Sequence, residues 1–418
     1  MLKNTLIYFV AGMLVILLFS ACAETIPGCT DPSSPNYDPL ATRDDGSCAF
    51  NVPDTYTFLR SESSSVEYSL STSRQLRLAS FAQLLSQLGE SGASFTDPFA
   101  LIYGNPDTLM LELLVQNGEA VEPDSLGNSG SSDILSALLR PVAGLPDPLV
   151  MFSEASAYIE NQVLAGKLGT PEVYTSAGGV DFAHLLPAML QGHVLLQPAF
   201  DSLLPAVDTL NNINISSNAT IAEGAWDLAF GAYGLPPEGA SWYDGGLPYN
   251  DVNSNDTIAL ATEYIFAYAR AALDRDEVVS AAQFHASTYR AFREGRAALA
   301  FGPERLAEAQ MARMTILSNW ERIVAATAIH HLNTSIANLE GTTPDLVGYR
   351  ADWSAAYGHI YSLGVLQTGS MGNNTASNLL EELGSRPDFG AAYIENLKSI
   401  REAISQQYAF PDSWYLLW

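Results

Sequence analysis

Glu223 and Asp227 stand four residues apart, a spacing that in a helix puts both carboxylates on one face, with Trp226 beside them. Two such carboxylates ligate a metal when neighbouring helices add further donors. Glu321, His330, His331, Asp352 and His359 are candidates for that role, which would make a metal ion the cofactor of such a site. The same residues also have a structural reading, in which Glu223 caps or solvates its helix, Trp226 and Phe230 fill the core, and His330 packs. Trp320-Glu321-Arg322 reads as a buried ion pair with other helices. His184, His193 and His285 fall singly on apolar helical faces, as core or surface residues rather than ligands.

A second concentration of donors is the stretch GCTDPSSPNYDPLATRDDGSC, from Gly28 to Cys48. Asp31, Asn36, Asp38, Asp44 and Asp45 offer hard oxygens of the kind Ca2+ prefers. They could equally close turns through Asx hydrogen bonds, and both readings stay open. Cys29 and Cys48 are an even number of cysteines in an exported chain, so one disulfide is expected. Closing a loop of this size contributes about 3 kcal/mol in the chain-entropy picture, and the loop has little apolar surface that could do the same.

Nucleophilic chemistry finds no support. The chain has no Gly-x-Ser-x-Gly elbow, no His-Glu-x-x-His helix and no glycine-rich phosphate loop. Paired acids alone mean little among 46 Asp and Glu, so an enzyme is not expected. A formal charge of -27 opposes nucleic acid and anionic membrane surfaces and leaves cations as the natural partners, although such acidity also serves plain solubility.

Helices must position these groups. Apolar residues three and four apart recur in SRQLRLASFAQLLSQLGESG, DILSALLR, PLVMFSEASAYIENQVLAG, VDFAHLLPAMLQGHVLLQPAFDSLL, AEGAWDLAFGAYG, ATEYIFAYARAALDRD, residues 277–299, residues 304–340, WSAAYGHIYSLGVLQ and AAYIENLKSIREAISQQ. Only YTFLR and SSVEYSL suggest strands. The expected class is all-α, built as helical bundles. The loop at 234–256, dense in Pro, Gly and Asn, either divides two halves or serves as a functional loop.

MLKNTLIYFVAGMLVILLFSAC reads as a signal peptide over residues 1–21. Phe19-Ser20-Ala21-Cys22 resembles a lipobox, implying lipidation of Cys22, cleavage before it and a membrane attachment through acyl chains. Residues 22–50 then form a disulfide-closed acidic spacer and 51–418 the helical domain. The spacer resembles a short cysteine-bounded repeat of bacterial exported proteins, similar to thrombospondin type 3 calcium loops.

PDTYTFLRSESSSVEYSLSTSRQLRL, EGAWDLAFGAYG, YRAFREGRAAL, WERIVAATAIHHLNTSIANL and DWSAAYGHIYSLGVL together resemble an uncharacterised family of bacterial exported lipoproteins related to the imelysins. That resemblance implies paired four-helix bundles, an outer-membrane or periplasmic location and a link to iron uptake. The imelysin Gly-x-His-x-x-Glu site is missing; the nearest approach, Gly192-His193 ending in Gln197, has the wrong spacing and no carboxylate. Two functions follow as expectations. One is a lipid-anchored envelope protein that binds a small ligand or metal, with an outer-membrane transporter as partner. The other is a glycan-capturing surface lipoprotein, using Trp242, Tyr243, Tyr249, Trp414 and Tyr415 for stacking.

Overall fold

In a computed structural model the described residues are 25–30, 34, 36–48, 51–60, 62–104, 120–121, 134–209, 215–216 and 219–418. The leader, Cys22 and Asp31 lie outside them. The fold is mostly helical, with a small disulfide-closed module at Cys29–Cys48. In that module Pro27–Gly28 pairs in parallel with Arg43–Asp44. No helix of the described residues is long and apolar enough to cross a membrane.

The longer helices are α1 (Ser69–Gln87), α2 (Pro148–Leu164), α3 (Phe182–Gln191), α4 (Ile221–Tyr233), α5 (Ala267–Val278), α6 (Phe284–Phe301), α7 (Leu306–Glu340), α8 (Leu346–Gly364), α9 (Gly372–Leu383) and α10 (Ala391–Gln407). Helix α7 has 35 residues, about 52 Å of axis, and forms the mast of the molecule. Helices α5, α6, α8 and α10 pack along it, while α3 and α9 pack on α8, and α1 bridges α3 and α4. One apolar core runs from Tyr56 to Trp418 and includes Leu235 and Ala240 of the 234–256 loop.

Local chemistry sets several boundaries. Asp147, Asp181 and Asp345 cap α2, α3 and α8 by accepting from the first backbone N–H groups. Thr220 and Glu223 form a reciprocal capping box on α4, and Gly234, at φ +92°, closes that helix in the left-handed conformation glycine tolerates.

Four expected elements differ. Residues 277–299 are not one helix, because the Asp276 carboxylate accepts from the backbone N–H of both Phe284 and His285 at 2.8 Å and so starts α6 afresh. Ala261–Phe266 stays outside α5, with Phe266 extended. DILSALLR yields only a 3-10 turn at Leu135–Leu138. The strand candidates shrink to a pair of two-residue strands, Leu59–Arg60 against Ser63–Ser64. Beyond α3 the chain continues through π-helical turns at Gly192–Leu196 and Ala199–Leu203.

Candidate functional site

The first carboxylate pair does share a helix face. Glu223 and Asp227 are both fully buried on α4, and a guanidinium sits between them. Arg296 of α6, also fully buried, donates from Nε to Asp227 Oδ1 at 2.8 Å, from Nη1 to Glu223 Oε1 at 2.8 Å and from Nη2 to the Ser65 carbonyl at 3.0 Å. Arg60 adds Nη2 at 3.0 Å to both Glu223 oxygens, and the Thr220 N–H donates to Oε2 at 2.5 Å. Tyr56 donates its hydroxyl to Asp227 Oδ1 at 2.7 Å, and the Glu67 N–H reaches Oδ2 at 3.3 Å. Every strong donor these acids need is supplied by protein, so the pair behaves as the buried anionic half of a charge network.

Electrostatics agree with this picture. Burial pushes the Asp227 carboxyl up, against the pull of Arg296. Burial opposes the charge on Arg296, yet Asp227 and Glu223 hold its pKa above the ordinary value. Burial and the Asp227 charge raise Tyr56 far enough to keep it a hydrogen-bond donor. Trp226 donates Nε1 to the Phe292 carbonyl at 3.0 Å inside the core. Its indole is admitted because position 295 is glycine: a Cβ there would lie 2.1 Å from the ring.

Glu321 is elsewhere. Its Oε1 accepts from the Tyr408 hydroxyl at 2.8 Å and the Met371 N–H at 3.0 Å. The expected ion pair of Glu321 or Arg322 is not formed among the described residues; Arg322 instead lies over the rings of Phe284 and Phe410, where aromatic faces compensate its charge. Nine residues separate Glu321 from His330, about 13 Å along α7.

His330, Asp352 and His359 do come together, with His331. The His331 and His359 rings stack at 5.5 Å and 8°, His330 meets His331 edge-on at 5.1 Å, and His331 Nδ1 is 2.8 Å from Asp352 Oδ1. Burial pushes His330 down to about 4 and His331 to about 3, while Asp352 rises to about 6. Arg275 of α5 lies within electrostatic reach of all three rings. Among the described residues no three His, Cys, Asp or Glu side chains converge as a metal site. A guanidinium stands at both candidate ligand sets, and a fixed positive charge opposes a cation.

The remaining histidines have ordinary places. His184 Nδ1 sits 3.1 Å from its own helix cap, Asp181. His193, 1% exposed, lies between Gln197 Oε1 at 3.2 Å and the Tyr361 hydroxyl at 3.3 Å. His285 stacks on Tyr289. In the N-terminal module, Asp38, Asp44 and Asp45 each accept a backbone N–H two residues on at 2.9 Å, and Asn36 donates to the Ser47 carbonyl at 2.6 Å. Those are Asx turns, and among the described residues no three His, Cys, Asp or Glu side chains group there.

One concavity was not anticipated. A cleft of about 330 Å3 opens beside the charge network, walled by Tyr56, Phe58, Val66 and Tyr68 with Ser69 and Thr72 among its hydroxyls. Tyr56 and Phe58 are two residues apart in non-helical chain, which turns both rings to one side; their centroids are 5.4 Å apart. That alternation within YTFLR was the available signal. The aromatics expected to stack on sugars are scattered by comparison: Tyr249 is buried against Tyr264, Tyr243 is bonded to Asp274, and Arg401 covers Tyr415.

The family profile described as Domain of unknown function (DUF4856) matches residues 160–411. No curated protein matches the chain. No solved structure does either.

Proposed function

The chain belongs to the DUF4856 family, and on that footing we propose that it is a lipid-anchored envelope protein whose helical domain holds a small organic ligand in the Tyr56–Tyr68 cleft. The cleft itself carries the reading. Its volume falls in the range of small-molecule sites; aromatic walls suit a flat or ring-shaped apolar face, and the hydroxyl rim suits polar substituents. Behind it, the Arg296 network fixes Tyr56 through Asp227, so one wall is rigid before any ligand arrives. The lipid anchor rests on the lipobox-like residues ending at Cys22, and kinship with the imelysins on five stretches of sequence, of which PDTYTFLRSESSSVEYSLSTSRQLRL lines this cleft. Iron is the weaker form of the proposal, since arginines occupy the neighbourhoods of both candidate ligand sets.

Glycan capture survives in a narrower form, because a sugar ring would fit aromatic walls with hydroxyls at the edge. Calorimetric titration with mono- and disaccharides and with aromatic amino acids distinguishes the two chemistries. Saturable binding of one class, weakened at least tenfold by Tyr68→Ala, is the expected result. Binding by none, or binding indifferent to Tyr68→Ala, would remove the cleft from the account.

A further inference from the structure

Arg275 raises a question that the cleft does not answer. It is 8% exposed on α5, and among the described residues neither Nε nor Nη1 has a hydrogen-bond partner. Its nearest acid, Asp274, is engaged by the Tyr243 hydroxyl at 2.6 Å and faces Arg270 at 3.9 Å. A buried cation without acceptors is costly, and such groups are ordinarily paired. Three imidazoles, His330, His331 and His359, lie within its electrostatic reach. His330 and His359 make no hydrogen bond to a described residue through their rings, and Asp352 is already committed to His331 Nδ1 at 2.8 Å and Asn338 Nδ2 at 3.3 Å. The three rings are half-buried, so the cluster is reached from solvent while the guanidinium is held inside.

We propose that Arg275, His330 and His359 form a binding site for a small oxyanion, a phosphate or carboxylate group, with His331 packed between the two imidazoles and its own N–H given to Asp352. A neutral imidazole can turn one N–H toward an anion, and the guanidinium supplies the opposite charge and further N–H groups. Burial and the neighbouring positive groups keep His330 and His359 neutral at pH 7, so each has one N–H to donate. A metal ion would face the uncompensated charge of Arg275 at the same place. The overall charge of -27 does not forbid an anion here, because exposed charges beyond about 10 Å are screened at ordinary salt, and the nearby Asp274 and Asp352 have partners of their own.

The test is direct titration of the purified protein with inorganic phosphate and, separately, with acetate, at constant ionic strength held by chloride, followed by 31P and 13C line broadening. Saturable binding of at least one, reduced about tenfold or more by Arg275→Met, is the expected result, and the arm that saturates identifies a tetrahedral or planar oxyanion. His359→Gln, which leaves the guanidinium in place, should weaken the same binding by a smaller factor. A response to ionic strength only, equal affinity in wild type and Arg275→Met, or failure of Arg275→Met to fold would overturn the proposal, since the last would mean that protein groups already depend on this guanidinium.

Discussion

Arg296 and Arg275 are both buried between helices, and the fold treats them in opposite ways. Arg296 gives Nε to Asp227, Nη1 to Glu223 and Nη2 to Ser65. Arg275 leaves Nε and Nη1 without acceptors among the described residues and acts electrostatically on neutral imidazoles instead. The difference separates a guanidinium that stabilises the fold from one that waits for something. A buried charge enclosed by protein acids holds α4, α6 and the 56–67 segment in register. One left without acceptors near neutral imidazoles at a half-open surface is placed for a ligand.

Breaking the closed side should have the largest effect. Glu223→Gln removes one member of a fully buried network while leaving Arg296 and Arg60 in place, and is expected to cost about 3–5 kcal/mol in urea unfolding. Gly295→Ala pushes a methyl into the Trp226 ring and should cost about 1–3 kcal/mol by strain alone. Tyr56→Phe deletes the hydroxyl donated to Asp227 and should cost about 1–2 kcal/mol, with the cleft otherwise intact.

How far the sequence reveals this contrast depends on chain distance. The face shared by Glu223 and Asp227 follows from their spacing, and the capping role of Glu223 from Thr220 three residues earlier. Arg296 is 69 residues from Asp227, and no local pattern announces that pairing. The all-α class was legible because helical periodicity dominates the chain, as in AAYIENLKSIREAISQQ, which is helical over its full length. The break at Asp276 was hidden, since its cap is made by a side chain reaching forward to the next helix. Arg275 did leave a trace: Tyr268, Ala272 and Arg275 fall at i, i+4 and i+7 on one buried face of α5. A charge on an apolar stripe marks either a pair or a site.

Acid sharpens the comparison from the other side. His193, His285 and His330 have pKa values near 4 and His331 near 3, against an ordinary 6.5. Between pH 6.5 and 4 the unfolded chain therefore binds more protons than the folded one, and stability falls as pH drops through that window. His359 is lowered too and adds to the loss, while Asp352, raised to about 6, and the raised His184, Asp201, Asp227 and Asp276 take up protons in the folded state first and offset part of it. Thermal unfolding in acetate-free buffers from pH 7 to 4.5 should show a steady loss of Tm; a flat or rising Tm would contradict these burial assignments.

The smallest expected change is at Arg275. With no anion present, Arg275→Met removes an uncompensated buried charge and keeps most of the apolar stem, so stability should be unchanged or higher.

Urea unfolding of Arg296→Met beside Arg275→Met, in the same anion-poor buffer, tests the contrast most directly. The account predicts a loss of about 3–5 kcal/mol for Arg296→Met, which strands two buried carboxylates, and no loss for Arg275→Met. Equal losses at the two positions would show that Arg275 is held by protein as firmly as Arg296, and would contradict the account.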